Sequence, residues 1–351
     1  MLVNGKQYQT IWLDENDPTI IKFINQNYLP FRFVVDELRT SEDSFCAISE
    51  MKVRGAPLIG VTAAFGIYLA ALEARNIANP LDYIISFANK LIMARPTAIN
   101  LKMAVSRQLE TIKNNHDGKD LVQTTFKNSL KILNEEKEKC LKIGIQGFPL
   151  IEKIAQKNPG QPVRILTHCN AGWLACIDYG TATAPIYIAH DKGIPVHVWI
   201  DETRPRNQGA RLTAWELRQH GIPHTVIVDN AGGFLMQKGM IDIVIVGTDR
   251  TTRSGYVTNK IGTYLKALAA SDNNIPFYVA VPSSSIDVSI NQPFDEIPIE
   301  KRDDDEIRYM EGLLNNEITK VQIMESGSPV SNYGFDITPP RLITGLITDR
   351  G

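Results

Sequence analysis

Val163-Arg-Ile-Leu-Thr167, Pro195-Val-His-Val-Trp-Ile200, His224-Thr-Val-Ile-Val228, Ile241-Asp-Ile-Val-Ile-Val246 and Phe277-Tyr-Val-Ala-Val281 are short runs rich in β-branched, aliphatic or aromatic residues. Helical stretches separate them, and Gly-Ile-Pro or Asn-Ile-Pro announces several of them. Runs this apolar are expected to be buried on both faces, which is the mark of a parallel sheet covered by helices. The pattern therefore predicts a doubly wound, Rossmann-like α/β domain over residues 146–351. Neither G-x-G-x-x-G nor a P-loop occurs, so the dinucleotide and nucleotide fingerprints are missing.

Upstream the rhythm is different, and a smaller, mainly helical N-terminal domain with a few strands is expected over residues 1–145. Residues 20–25 and 31–35 read as extended. Thr40 with Asp43 three residues on forms a capping-box pattern, so a helix should start at Ser41. Asn79-Pro80 repeats the start signal. Residues 101–113 have helical spacing, 114–118 form a polar loop, and 121–145 read as a long amphipathic helix. Residues 56–72 carry no charge and are alanine-rich. They fall short of the about 20 strongly apolar residues of a membrane span, so a buried helix is expected and no membrane association.

The chain has 351 residues, ordinary for about two domains. Hydrophobic residues make up 43% and charged residues 22%, enough for a core and against disorder. Its 37 basic and 39 acidic residues give 37 − 39 = −2, so no bulk positive field exists to hold nucleic acid or an anionic membrane. Four cysteines without a C-x-x-C pair suit neither a disulfide framework nor a structural zinc site. The N-terminus lacks the apolar stretch of a signal peptide, and a soluble, cytoplasmic protein is the expectation.

Ligands of doubly wound sheets bind at the carboxyl ends of the strands. All five ends here are polar, small or charged: Thr167-His-Cys-Asn-Ala-Gly172, Asp201-Glu-Thr-Arg-Pro-Arg-Asn-Gln-Gly209, Asp229-Asn-Ala-Gly-Gly233, Gly247-Thr-Asp-Arg250 and Pro282-Ser-Ser-Ser285. Cys169 sits between a strand and an expected helix, whose dipole would lower the thiol pKa; the competing reading is a small buried thiol. Asp249 could serve as a general acid if an apolar wall raises its pKa, or as a helix cap or ion-pair partner of Arg250. His168 reads as a satisfied core histidine. Arg54-Gly55-Ala56-Pro57 and Arg95-Pro96-Thr97 each open a helix, and Asn259-Lys260 precede a third. Together they suggest local capture of a small phosphorylated ligand.

These residues resemble the methylthioribose-1-phosphate isomerase family, related to the regulatory subunits of translation initiation factor 2B. The resemblance is carried by Val53-Arg-Gly-Ala-Pro-Leu-Ile-Gly60, Arg95-Pro-Thr-Ala-Ile-Asn100, Thr167-His-Cys-Asn-Ala-Gly172, Asn259-Lys-Ile-Gly-Thr-Tyr264 and Asn332-Tyr-Gly-Phe-Asp-Ile-Thr-Pro-Pro-Arg-Leu-Ile-Thr344. Its longest segment is Asp201-Glu-Thr-Arg-Pro-Arg-Asn-Gln-Gly-Ala-Arg-Leu-Thr-Ala-Trp-Glu-Leu217. It implies isomerisation of 5-methylthioribose 1-phosphate to 5-methylthioribulose 1-phosphate in methionine salvage, with Asp249 as proton donor and Cys169 as second catalytic residue. Substrate contacts would fall on Arg54, Gly55, Ala56, Arg95, Gln208, Asn259 and Lys260. The resemblance implies a homodimer, a phosphorylated-sugar substrate, and neither metal nor organic cofactor. Isomerases of 5-deoxyribose 1-phosphate or ribose 1,5-bisphosphate, and a non-catalytic sugar-phosphate-binding subunit, are the alternatives.

Overall fold

The computed structural model describes the chain apart from residues 96–97, 115–119, 292 and 298. Most of the loop expected at 114–118 therefore lies outside the described residues.

The five apolar runs become adjacent parallel strands, Val163–Thr167, Val196–Asp201, His224–Ile227, Ile243–Val246 and Phe277–Val281. Calling these strands one to five, and Gly345–Thr348 strand six, the sheet order is 6-5-4-1-2-3. All five pairings are parallel. Every residue of strand four is buried, as expected of a strand covered on both faces. The doubly wound expectation thus holds, with two adjustments. Strand four starts at Ile243 because Asp242 turns its carboxylate to the backbone N–H and guanidinium of Arg164. Strand six went unread because it is a four-residue edge strand, half-exposed and opened by a glycine.

The N-terminal part holds a three-stranded antiparallel sheet, Ile11–Leu13, Ile21–Ile24 and Val35–Leu38. Five helices follow: α1 (Ser41–Ser49), α2 (Ala56–Glu73), α3 (Pro80–Ile92), α4 (Ile99–Lys113) and α5 (Leu121–Lys157). The capping box at α1 is complete. Asp43 N–H donates to Thr40 Oγ1 at 3.1 Å, and Thr40 N–H donates to Asp43 Oδ2 at 2.8 Å. Such a cap is worth about 1 kcal/mol. Asn79 precedes Pro80 as expected but its side chain caps nothing.

Helix α2 is the centre of this part. The segment from Ala56 to Asn76 has a mean hydropathy of 1.6, enough by composition for a span, yet 89% of its most apolar window is buried inside the protein. It is a core helix.

Helix α5 extends twelve residues beyond the expected end, through Pro149 to Lys157. Its second half lies against helix α6 (Ala184–Asp191), which covers the parallel sheet. Gly147 makes this approach possible, since a Cβ there would stand 2.9 Å from Pro185 Cβ. The division we propose near residue 145 therefore falls inside a helix that both parts share.

A second, four-stranded sheet lies in the C-terminal part, in the order Ile286–Asp287, Arg250–Thr252, Val257–Lys260, Phe335–Thr338. It carries Asn259 and Lys260, and its pairing continues through Asp249 N–H to Thr258 O at 3.0 Å.

Candidate active site

Strand order reverses between strands one and four, which open a crevice at their carboxyl ends. Thr167 leads there into His168 and Cys169, and Val246 into Gly247, Thr248 and Asp249. The resulting cavity is lined by all nine residues singled out from the sequence: Arg54, Gly55, Ala56, Arg95, Cys169, Gln208, Asp249, Asn259 and Lys260. Met51, Pro57, Ile59, Ile297 and Phe335 are apolar residues of its lining. The ends of strands three and five act differently. Asp229 accepts the N–H groups of Thr203 and Arg204 at 2.7 and 2.8 Å, bracing the loop that carries Gln208. Ser283, Ser284 and Ser285 bond Asp349, Glu136 and Asn100.

Cys169 has φ +65°, a left-handed conformation that costs a non-glycine residue about 1–3 kcal/mol unless its surroundings impose it. Two threonines do so: Cys169 N–H donates to Thr203 Oγ1 at 2.9 Å, and Thr213 Oγ1 donates to the Cys169 carbonyl at 2.7 Å. The thiol is buried, and burial pushes its pKa above the ordinary thiol value, with Arg54 and Lys260 pulling the other way. This corrects the expected lowering by a helix dipole. The chain enters only a short 3-10 turn, Trp173–Ala175, and no α-helix begins at the cysteine.

Burial also raises the Asp249 pKa from its ordinary value, against the lowering charges of Lys260, Arg54 and Arg95. A buried carboxyl with a raised pKa is what a general acid requires near neutrality. Lys260 is buried as well, and desolvation lowers its pKa while Cys169 and Asp249 oppose this. Its ammonium lies 4.8 Å from the centre of the Phe335 ring. Among the described residues neither Asp249 nor Lys260 makes an ion pair.

Gly55 caps α2 with φ +92°, and a Cβ there would stand 2.4 Å from Ala175 O. Only glycine permits that approach. No side chain caps this helix end, and its first residues Ala56 and Pro57 line the crevice with Arg54; Pro57 has no N–H, so the uncapped first-turn donors are those of Ala56 and Leu58. Arg54 is fixed by Asn170, whose side-chain Oδ1 accepts from Nη1 at 2.9 Å and whose backbone carbonyl accepts from Nη2 at 2.6 Å. Arg95 stands four residues before α4 rather than at its first turn, and its Nη2 donates to Glu300 at 3.1 Å.

Among the described residues, three buried polar atoms of the cavity lining have no partner: Gln208 Oε1, Arg95 Nε and Thr258 Oγ1. Leaving such a group unmade costs about 1–3 kcal/mol, so these atoms are poised for a polar ligand. Thr258 was missed in the sequence; strand alternation puts it on the same face as Lys260, but that signal required Val257–Lys260 to be read as a strand and not as the approach to a helix.

His168 behaves as expected of a core histidine: Nδ1 lies 2.9 Å from Asp201 Oδ2 and Nε2 2.8 Å from Ile261 O. His168, Asp201 and Asp229 together have metal-ligand types at close spacing. Lys266 already supplies the positive charge there, with Nζ 3.3 Å from Asp201 Oδ2 and a hydrogen bond to Asp229 O. This group does not fit a metal ion.

Fold and site together define an α/β protein whose switch-point crevice combines a raised carboxyl, a neutral thiol and clustered cations, as a small phosphorylated substrate would need. The chain belongs to the initiation factor 2 subunit family, whose model matches residues 52–351, and within it to the methylthioribose-1-phosphate isomerases. It is 54% identical over 351 residues to the methylthioribose-1-phosphate isomerase of Desulfatibacillum aliphaticivorans, covering 100% of this chain and 95% of the relative. It is 55% identical over 354 residues to that of Methylocella silvestris, with the same coverage. Among solved structures it is similar to 5-methylthioribose 1-phosphate isomerase from Pyrococcus horikoshii OT3, with TM-score 0.83, 37% identity, and coverage of 99% and 92% of the two chains. It is also similar to the translation initiation factor eIF-2B, subunit delta, from A. fulgidus, with TM-score 0.79, 36% identity, and coverage of 98% and 95%.

Proposed function

We propose that the protein isomerises 5-methylthioribose 1-phosphate to 5-methylthioribulose 1-phosphate. The observation that carries this reading is the crevice holding Asp249 and Cys169 between Arg54 and Lys260, in a chain 54% identical throughout to relatives named for that reaction. The regulatory-subunit alternative would not call for a buried acid with a raised pKa beside a thiol.

In this reading the N-terminus of α2, Arg54 and Lys260 hold the phosphate, and Gln208 Oε1 accepts a sugar hydroxyl. Asp249, whose protonated form burial favours, gives its proton to the ring oxygen as the bond from that oxygen to carbon 1 breaks. The open chain then becomes the ketose by one of two routes. Either hydrogen moves as hydride from carbon 2 to carbon 1, or Cys169 as thiolate takes the carbon-2 proton and returns it to carbon 1; in both routes the carbon-2 hydroxyl gives its proton back to Asp249 as the ketone forms. A thiol kept neutral by burial favours the hydride route, because the base route must first ionise it. The apolar residues of the cavity lining disfavour water that would compete for the open-chain species. They also suit an uncharged group at carbon 5 better than a second phosphate. A cytoplasmic homodimer made of two helical-plus-sheet subunits completes the proposal.

Comparing kcat/KM for 5-methylthioribose 1-phosphate, 5-deoxyribose 1-phosphate and ribose 1,5-bisphosphate tests it. The methylthio substrate should lead, and the bisphosphate should trail by about 100-fold or more. A preference for the bisphosphate would overturn the assignment of carbon 5 to the apolar residues of the lining.

A further inference from the structure

Glu216 lies in the short helix Ala214–Gln219, within the same signature segment as Gln208, and no step above uses it. It is completely buried. Its carboxylate is engaged on every side: Oε1 accepts from Asn170 Nδ2 at 3.0 Å and Leu174 N–H at 2.8 Å. Oε2 accepts from Trp173 N–H at 3.2 Å and the Tyr187 hydroxyl at 3.3 Å. Asn170 is the residue that holds both nitrogens of Arg54. Thr213, in the same segment, takes a second bond from Asn170 Nδ2 at 3.1 Å and holds the Cys169 carbonyl. Gly172 leaves the room this needs, since a Cβ there would stand 1.7 Å from Glu216 Oε2.

We propose that Glu216 is the positioning residue of this site: its ionised carboxylate fixes Asn170, and through Asn170 aims the guanidinium of Arg54 at the substrate phosphate. The inference rests on the reading of Arg54 as a phosphate contact. A carboxylate can accept four hydrogen bonds at once, whereas a neutral carboxyl or an amide must turn a hydrogen toward one of these donors. Losing the Glu216 bond lets the Asn170 amide turn away from Arg54 Nη1, leaving the guanidinium held by Asn170 through the backbone carbonyl on Nη2, and a guanidinium held on one side loses the paired geometry that makes it selective for phosphate.

The groups facing Glu216 are Tyr187 from α6 and Arg54 from the segment before α2, with Asp178 beyond Tyr187 and His220 packed on the Tyr187 ring. Burial pushes the Glu216 carboxyl up to about 7, while the bonds from Asn170, Leu174 and Tyr187 and the charge of Arg54 oppose this. The Glu216 proton is therefore taken up as pH falls through about 7, and kcat/KM should fall with it.

Steady-state kinetics of Glu216→Gln, with inorganic phosphate as a competing ligand, test this. The variant should raise KM and weaken phosphate binding by about tenfold or more, change kcat by less than about threefold, and lose the acid limb near neutrality. Tyr187→Phe removes one donor to the ionised carboxylate, which raises the Glu216 pKa further, so its acid limb should move to higher pH. A folded Glu216→Gln protein with wild-type KM and acid limb would overturn the proposal, and so would an unmoved limb in Tyr187→Phe. Phosphate binding needs no turnover, so it separates this inference from the assigned reaction. If Arg54→Lys weakens phosphate binding and Glu216→Gln does not, this inference alone fails. If Arg54→Lys changes nothing, the phosphate reading fails with it.

Discussion

At Asp249 and Cys169 burial does opposite kinds of work. It turns a carboxylate into a usable acid and keeps a thiol from becoming a ready base. Asp249→Asn keeps the shape but cannot donate the proton, so kcat should fall by about 1,000-fold or more while inorganic phosphate still binds. Loss of phosphate binding with it would refute the division of labour between acid and cations. Cys169→Ser should also cut turnover severely, and near-normal activity would remove the thiol from the chemistry. Running the reaction in D₂O and reading carbon 1 by NMR separates the two routes. The hydride route leaves carbon 1 free of solvent deuterium, and substantial incorporation would establish Cys169 as a base. The polar strand ends named both residues in the sequence. Their protonation was less legible. The expected helix after Cys169 is a 3-10 turn, and desolvation depends on walls such as Ile59 and Phe335, from other parts of the chain.

Elements whose cues are local were readable: the capping box of α1, and the five strands, although His224–Ile227 at the sheet edge is not buried on both faces as expected. Elements fixed by tertiary partners were not. Helix α5 outruns its amphipathic signal and keeps Pro149 because α6 and the sheet receive its second half. Strand six needed strand five as a template. Gly147→Leu tests the α5–α6 approach. Its side chain has to displace Pro185, so a loss of about 1–3 kcal/mol is expected from the shift of the urea midpoint. An unchanged midpoint would show that the two helices can separate freely.

Across the whole molecule, charge is balanced locally and not by regional fields. Arg206 and Arg302 both hold Glu306, Arg302 also holds Glu300, and Glu300 holds Arg95 at the cavity. Burial disfavours the Glu306 anion, but Arg302 and Arg206 together bring its pKa down to about 2, from an ordinary 4.5. Because the folded value is the lower one, the group stabilises the fold above about pH 4.5, and that contribution disappears as pH falls toward 2. Allowing for partial solvent screening, Glu306→Gln should cost about 1–2 kcal/mol at pH 7, with the difference from wild type closing on acidification. A gap that stayed constant with pH would contradict the ion-pair account. The motifs brought nine residues to one cavity, but Thr258, the Asn170–Glu216 support and the Glu300 bond to Arg95 came only from the folded chain. The last two join residues far apart in sequence, and Thr258 follows from Lys260 only once Val257–Lys260 is seen to be a strand.

The measurement that bears most directly on the central claim is proton NMR of the purified protein incubated with 5-methylthioribose 1-phosphate. The anomeric proton signal should disappear as the ketose carbon-1 signals grow, at a rate that Asp249→Asn abolishes. An unchanged spectrum from folded protein that still binds inorganic phosphate would contradict the assigned reaction and leave a sugar-phosphate-binding role in its place.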